Sequence, residues 1–212
     1  TRLGGIAAVS GALIMLVGAG FWVASGADLE GALAHNGMAD YLTTAAQNRS
    51  LLIVNLSCWI VGVFLIGLAG QAISHLCVQR RALGQAAFAC YFVGVPVAMA
   101  SFVAMFSVVM VIAPDTSPAA LLVAETLGWF GSYADWIGTI LVIGVGPALF
   151  GLAGRGDWMP RWLQIWSVIA ALGGPIGIVG LFAGGAGSWG FIVVPTGISW
   201  LLATGVFLLR RN

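Results

Sequence analysis

The chain alternates between long apolar runs and short polar connections. Each of six runs is long enough for a helix to cross a hydrocarbon core about 30 Å thick, which takes about 20 residues. The runs show no alternation of inward and outward positions, and in lipid a continuous run satisfies its backbone only as a helix. The pattern predicts an all-α transmembrane bundle that forms one domain over residues 1–212, with spans near Leu3–Ala24, Leu51–Val78, Leu83–Ala113, Trp129–Ala153, Trp162–Ala183 and Trp189–Leu209.

Composition supports this interpretation and narrows the function. Hydrophobic residues make up 60% of the chain and charged residues only 7%, with a mean hydropathy of +1.04. A soluble domain carries about 25% charged residues, so the lipid bilayer is the expected partner. A net charge of +1 without a basic face excludes nucleic acid as a partner. Cys58, Cys77 and Cys90 lie in or beside apolar runs without a CxxC pair and are interpreted as small hydrophobic residues.

The arginines predict the orientation. Seven of the eight lie in the N-terminus, the second and fourth connections and the C-terminus, and only Arg49 lies in the other connections. Most acids, from Asp28 to Glu125, lie on the opposite side. The positive-inside rule then places both termini in the cytoplasm. The lack of lysine and the abundance of alanine and glycine favour a bacterial source, and hence the inner (plasma) membrane.

Two outer connections carry local helix signals. Leu29, Leu33, Met38 and Leu42 have the spacing of a short amphipathic helix lying on the membrane. In the next outer connection, Ser117 is a candidate cap, Pro118 a first helical residue and Gly128 a stop, which predicts a short helix over Pro118–Leu127. The two helices either form a lid over the outer mouth of the bundle or only tie helix ends together.

A weak internal repeat is visible. Phe64–Gly70 resembles Ala148–Gly154, and each segment follows a Trp-Ile pair. Helices two and three are therefore candidates for a duplication of helices four and five. Chance similarity among Gly, Ala and Leu is the alternative.

The tryptophans cluster near the predicted helix ends, which is typical of an aromatic belt at each membrane interface. Cofactor stacking is the other interpretation, and Trp200, placed in mid-helix, is the exception. The belt residues are Trp22, Trp59, Trp129, Trp136 and Trp189 on the outer side and Trp158, Trp162 and Trp166 on the inner side.

Asp135 is the sharpest candidate for chemistry. An ionisable group inside a span is costly, so Asp135, with Tyr133 beside it, is a candidate to bind a cation or gate a proton. The alternative is a helix cap at headgroup level. His75 is either a proton relay or an interfacial residue. Pro147 interrupts a helix and frees a carbonyl for a ligand or a hinge.

Small residues at four-residue spacing predict close helix packing. They are Gly173 with Gly177, Gly180 with Gly184, and Ala100 with Ala104.

Enzyme and cofactor signatures are lacking in the sequence. There is no HExxH, no GxSxG and no aspartate-rich metal motif. Only His35 and His75 are available as histidine ligands, and they do not pair for haem. We therefore expect no catalytic residue, no metal site and no cofactor.

One segment suggests a family. Gly154–Leu163, which ends a helix and continues through Trp158-Met159-Pro160-Arg161-Trp162, resembles an element of a bacterial six-helix membrane family known only as a domain of unknown function. The opening Arg2–Ala7 is similar to the start of that family. The resemblance implies the six-helix plan and no catalytic residue.

Two functions follow as hypotheses. The first is an accessory or scaffold subunit of a membrane complex, with other membrane subunits or a second copy as partners. The second is a small carrier or receptor for an apolar or zwitterionic molecule. A closed pocket near Asp135 and Pro147 would favour the carrier, and an exposed Gly/Ala stripe facing away from the bundle would favour the subunit.

Overall fold

Helices form nearly the whole structure. The computed structural model describes the backbone of residues 2–183 and 186–211, and the side chains within those ranges except at 180 and 182–192. The helices are α1 (Arg2–Ser25), α2 (Leu29–Ala34), α3 (Met38–Gln47), α4 (Arg49–Ser74), α5 (Arg81–Ser107), α6 (Pro118–Thr139), α7 (Gly146–Ala153), α8 (Arg161–Ala171), α9 (Gly173–Ala183) and α10 (Ala186–Arg210). Two π-helical segments, Val108–Ile112 and Ile140–Val145, extend α5 and join α6 to α7.

Six helical spans are long and apolar enough to cross a membrane, which confirms the predicted plan. Within the described residues they are Arg2–Ser25, Arg49–Ser74, Arg81–Ile112, Pro118–Ala153, Arg161–Val179 and Val193–Arg210. The protein is therefore a multi-pass α-helical membrane protein. The direction in which the termini face remains a prediction.

The fourth span corrects one boundary. The predicted short helix at Pro118–Leu127 is the beginning of α6, which runs without a break into the transmembrane segment. The capping prediction is confirmed, since Ser117 Oγ accepts a hydrogen bond from the backbone N–H of Ala120. Gly128 does not stop the helix. A Cβ on Gly128 would lie 3.2–3.5 Å from the side chains of Leu29 and Leu33, so the missing side chain makes room for α2.

The first outer connection also differs from its prediction. It forms two helices, α2 and α3, and their apolar residues face the protein instead of the membrane. Leu29, Leu33, Met38 and Leu42 are all buried, because α2 packs on α6 while α3 packs on α4, α6 and the Val108–Ile112 segment. We call α2 and α3 together the outer cap.

The fifth span bends where small residues meet. α8 ends at Ala171, and α9 begins at Gly173, followed by Gly174 and Pro175. A Cβ on Gly144, in the π-helical segment between α6 and α7, would lie 2.7 Å from the backbone of Gly174. Backbone therefore packs directly on backbone at this crossing.

The helices around the fourth span hold it at the centre of the bundle. In its most apolar window 61% of residues are buried, against 28% for α1. α1 lies at the edge and packs against α4 and α10. Asn55 Nδ2 on α4 donates to the carbonyl of Gly18 on α1 at 2.9 Å, which satisfies one buried polar group across this pair.

The two ends of the bundle carry opposite charge. Seven arginines and Asp157 lie at the end where α1 begins and α10 finishes, which we call the arginine end. Arg49 and the six other carboxylates lie toward the outer cap, which we call the acidic end. This separation keeps the prediction that the arginine end faces the cytoplasm.

Candidate functional site

The acidic end contains a carboxylate that is held between two helices. Glu30, in the first turn of α2, points at α6 and accepts two hydrogen bonds with the same oxygen, Oε1. The indole Nε1 of Trp136 donates at 2.9 Å and the hydroxyl of Ser132 at 3.2 Å. Ser132 and Trp136 are one helical turn apart, so their side chains emerge on the same face of α6. This interhelical contact fixes the outer cap on the fourth span.

Asp135 lies beside this contact. It follows Ser132 by three residues on α6, and it is close enough to Glu30 for the two carboxylates to interact electrostatically. The second oxygen of Glu30, Oε2, is buried and has no hydrogen-bond partner among the described residues. Burial raises the pKa of Glu30, the hydrogen bonds from Trp136 and Ser132 oppose that shift, and the charge of Asp28 adds to it.

The arrangement favours the neutral form of Glu30 over the ionised form. Burial penalises the charged carboxylate, and a neutral Glu30 removes the electrostatic repulsion with the neighbouring Asp28 and Asp135. Neutral donors, an indole and a hydroxyl, orient the group without demanding a fixed charge. In the described part of the chain, no three His, Cys, Asp or Glu side chains are placed to hold a metal ion.

A depression of about 270 Å³ opens on the outer cap. Asp28, Asp40 and Tyr41 line it together with backbone of the turns between α1, α2 and α3. Burial, with a contribution from the Asp28 carboxylate, raises the pKa of Tyr41 to about 12. The depression therefore offers two carboxylates and a neutral phenol at an open surface.

The other candidate residues do not join Asp135. Tyr133 is 47% exposed and stacks on Trp129, with ring centroids 5.6 Å apart. Pro147 is buried at the start of α7, and His75 is exposed at the opposite end of the molecule, where it follows α4. The structure instead brings Asp135 close to Glu30.

Glu30 was missed by the sequence prediction. In the sequence it belongs to a set of outer acids, and only the packing of α2 on α6 brings it to Asp135. A signal was available: Glu30 follows Leu29 and precedes Leu33 by three residues, so it borders the apolar face of a short helix. An acid in that position is expected to contact the element on which the apolar face of the helix packs, which here is α6.

The tryptophans divide into two groups. Trp129, Trp162 and Trp166 are exposed on the bundle, as a membrane belt requires. Trp136 and Trp158 are 5% and 4% exposed, so the belt prediction does not describe them. Trp22 and Trp59 are partly buried and pack on each other with centroids 6.5 Å apart. The side chain of Trp189 lies outside the described residues.

Of the predicted small-residue pairs, Gly173 and Gly177 lie inside the bundle. A Cβ on Gly177 would lie 2.8 Å from Ile140, and one on Gly173 would lie 3.2 Å from Val193, so both glycines allow close packing with neighbouring helices. Ala104 is buried and Ala100 is exposed. Gly184 lies outside the described residues, and only the backbone of Gly180 is described. Gly173 and Gly177 thus face inward and form no stripe directed away from the bundle.

The middle of the bundle is filled by three aromatic side chains. Tyr91, Phe150 and Trp200 are fully buried. The ring of Phe150 stacks on Trp200 with centroids 6.4 Å apart and an interplanar angle of 7°, and its centroid lies 5.6 Å from that of Tyr91. Trp200, the mid-helix exception, donates from Nε1 to the hydroxyl of Ser167 at 2.7 Å. We call Tyr91, Phe150 and Trp200 the central stack.

The fold and the acidic site define a multi-pass membrane protein with a partly buried interhelical carboxylate. Comparison of the chain with protein-family models, with curated proteins and with solved structures finds no match. The resemblance around Gly154–Leu163 to a family of unknown function therefore remains a prediction.

Proposed function

We propose that this chain is a non-catalytic accessory or scaffold subunit of a membrane complex. The observation that carries the proposal is the central stack, because it fills the middle of the bundle with close-packed rings on α5, α7 and α10. A carrier has to expose a central site to each side in turn. Packed interiors resist such rearrangement, since their side chains interdigitate at crystal-like density.

Polar groups in the interior support a fixed structure as well. Ser167 accepts from Trp200 and donates to the carbonyl of Leu163 at 3.0 Å, so one hydroxyl links α8 to α10. Trp59 Nε1 donates to the carbonyl of Met15 and ties α4 to α1. Such bonds are each worth about 0.6 kcal/mol within a membrane, and they stabilise one helix arrangement.

The outward faces of the spans are available to a partner or to lipid. On α1, Leu13, Val17 and Val23 are 50%, 54% and 66% exposed. On α5, Phe92 and Val103 are 70% and 56% exposed. A subunit that binds other helices uses surfaces of this kind, where side-chain packing replaces contacts with lipid tails.

Native mass spectrometry of the protein gently extracted from its own membrane tests the proposal. We expect a stoichiometric complex with a larger membrane protein. Asp135→Asn should leave the recovery of that complex unchanged, because Asp135 faces the outer cap instead of an outward surface. A chain recovered alone, or as a homo-oligomer that carries a defined small mass, would contradict the subunit function.

A second candidate function is supported by one specific observation. The open depression with Asp28, Asp40 and Tyr41 has the chemistry to receive the ammonium group of a zwitterionic molecule, which favours a small carrier or receptor. In that case the extracted protein would carry a small adduct. Asp40→Asn should then remove the adduct, whereas Asp115→Asn, at the same end but outside the depression, should retain it.

A further inference from the structure

A groove at the arginine end is distinct from the site described above. It lies between α8 and α10 and has a volume of about 440 Å³. This volume is within the range of small-molecule pockets, which is about 300–1,000 Å³. The lining consists of Trp162 from α8 and, from α10, Leu202, Ala203, Val206, Phe207 and Arg210.

The α10 side of the groove is an apolar stripe that ends in a charge. Ala203, Val206, Phe207 and Arg210 follow the i, i+3, i+4, i+7 spacing, so they lie on one face of the helix. The apolar part continues toward the middle of the bundle, and Arg210 lies in the last turn. The groove is therefore apolar at membrane depth and positive at the membrane surface.

Trp162 forms the α8 side of the groove. Its ring meets that of Phe207 edge to face, with centroids 6.3 Å apart, and the buried ring of Trp158 also packs on Phe207, with centroids 6.4 Å apart. Trp162 is 52% exposed, and its indole N–H has no hydrogen-bond acceptor among the described residues. An indole in this position presents a donor at the level of lipid headgroups.

No described residue neutralises the positive charge at the mouth of the groove. Arg210 and Arg161, which precedes Trp162 in the sequence, are both exposed, and neither guanidinium makes a hydrogen bond or an ion pair with the described residues. The single carboxylate at this end, Asp157, is engaged elsewhere, because its Oδ2 accepts from the backbone N–H groups of Val78 and Gln79 at 2.9 and 3.2 Å. The first turn of α8 adds the positive end of a helix dipole and has no side-chain cap.

We propose that this groove binds one anionic phospholipid. An acyl chain lies along Val206 and Phe207, and the phosphate accepts from the Arg210 guanidinium and from the Trp162 indole. Arginine pairs with phosphate by bidentate hydrogen bonds, and basic pockets between transmembrane helices are typical sites for anionic headgroups. The inference concerns lipid binding by this chain and does not depend on the proposed subunit function.

Lipid titration of the delipidated full chain in micelles, followed by native mass spectrometry, tests this site. The probes are phosphatidylglycerol and phosphatidylcholine with identical acyl chains. We expect one phosphatidylglycerol to bind, with an affinity at least about fivefold higher than that for phosphatidylcholine, since an arginine near the surface contributes about 1 kcal/mol toward an anionic lipid.

Three variants locate the site. Arg210→Gln should reduce the affinity for phosphatidylglycerol by about fivefold and remove the preference over phosphatidylcholine. Arg81→Gln, an exposed arginine at the same end but outside the groove, should change neither. Ala203→Phe keeps every charge but fills the groove, and it should abolish stoichiometric binding of both lipids.

Several results would overturn the proposal. They are equal affinities for the two lipids in the unaltered protein, an equal loss in Arg81→Gln and Arg210→Gln, or unchanged binding in Ala203→Phe. The second of these would mean that the whole arginine end attracts anionic lipid without a defined groove. A thermal melt of each variant shows whether the fold has been retained.

Discussion

Two arginines at opposite ends of the molecule perform the same task in different surroundings. Arg49 Nη2 donates to the carbonyl of Ala113, where the π-helical extension of α5 ends, at 2.6 Å. Arg80 Nη1 donates to the carbonyl of Leu152, in the last turn of α7, at 2.8 Å. The first bond is partly buried and the second is exposed. Cations at helix C-termini are favourable in both places, but only burial makes the bond expensive to lose.

The comparison also accounts for the one exception in the arginine distribution. Arg49 lies at the acidic end because it ties the beginning of α4 to the end of the third span. Its Nε is buried without a hydrogen-bond partner among the described residues, so part of the guanidinium is removed from water at this contact. The positive-inside rule predicts orientation from the number of arginines in each connection. An arginine that is held by a contact within the protein, as Arg49 is, can lie on the other side.

The carboxylates repeat the contrast. Asp157, at the arginine end, accepts from two backbone N–H groups at an exposed position and links the α4–α5 connection to the α7–α8 connection. Glu30, at the acidic end, is held by neutral side chains and keeps one buried oxygen without a partner. The arginine end therefore stabilises its carboxylate by backbone donors, whereas burial at the acidic end raises the pKa of Glu30.

Replacing each arginine by methionine should give the largest effect and would test the first contrast directly. Methionine keeps an apolar stem and removes every donor. We expect Arg49→Met to lower the free energy of unfolding by about 2 kcal/mol and Arg80→Met by about 0.5 kcal/mol, because only Ala113 loses a charged donor in a partly buried place. Denaturant titration in mixed micelles, followed by tryptophan fluorescence, measures both. Equal losses would show that burial does not separate the two bonds.

Local features of the fold could be predicted from the sequence, whereas contacts between distant segments could not. The six spans were predictable because hydropathy over about 20 residues is a local property. The continuation of α6 through Gly128 was not predictable from the sequence. A glycine can end a helix or make room for a neighbouring helix, and only the packing of α2 on α6 decides between the two. Pairing of Glu30 with Ser132 and Trp136 crosses about 100 residues of sequence, as their separations of 102 and 106 show, and no local pattern encodes it.

The bond between the two connections at the arginine end should give the second largest effect. Asp157→Ala removes the acceptor for the N–H groups of Val78 and Gln79, and we expect a loss of about 1 kcal/mol in the free energy of unfolding. Asp157→Asn keeps a carbonyl oxygen and should lose less. If the two variants are equally destabilised, the contact acts through the charge of Asp157 alone. The same micelle titration measures both variants.

The pH dependence of stability at the outer cap should be a smaller effect than the loss in Asp157→Ala. Glu30 has a folded-state pKa above its ordinary value of 4.5, so its contribution to stability is fully present below pH 4.5 and is lost as pH rises through the folded-state pKa. Thermal melts between pH 5 and pH 8 should therefore show stability falling as pH rises. Glu30→Gln should flatten that slope.

Neighbouring groups require a control for this measurement. Asp28, Asp135 and Tyr41 are the other titratable groups around Glu30 on α2, α3 and α6. Asp28→Asn should keep the sign of the slope and reduce its size, because the charge of Asp28 contributes less to the Glu30 pKa than burial does. A slope unchanged in Glu30→Gln would assign the response to another group.

The smallest effect should come from the indole donor. Trp136→Phe removes one of the two hydrogen bonds to Glu30 Oε1 and keeps most of the buried ring. We expect a loss of about 0.6 kcal/mol, the average for a hydrogen bond between transmembrane helices. Trp129→Phe, on an exposed ring without that bond, is the matched control. A loss in Trp129→Phe as large as that in Trp136→Phe would mean that ring size, and not the bond to Glu30, sets the cost.

The length of the fourth span has a geometric consequence. Pro118–Ala153 contains 36 residues, which at about 1.5 Å per residue is about 54 Å, well beyond the hydrocarbon thickness of about 30 Å. Its outer portion carries the cap, and its other end joins the loop that contains Asp157. The fourth span is therefore the element that bridges the molecule: a single stretch of helix, with the π-helical segment Ile140–Val145 between α6 and α7, joins the acidic end to the arginine end.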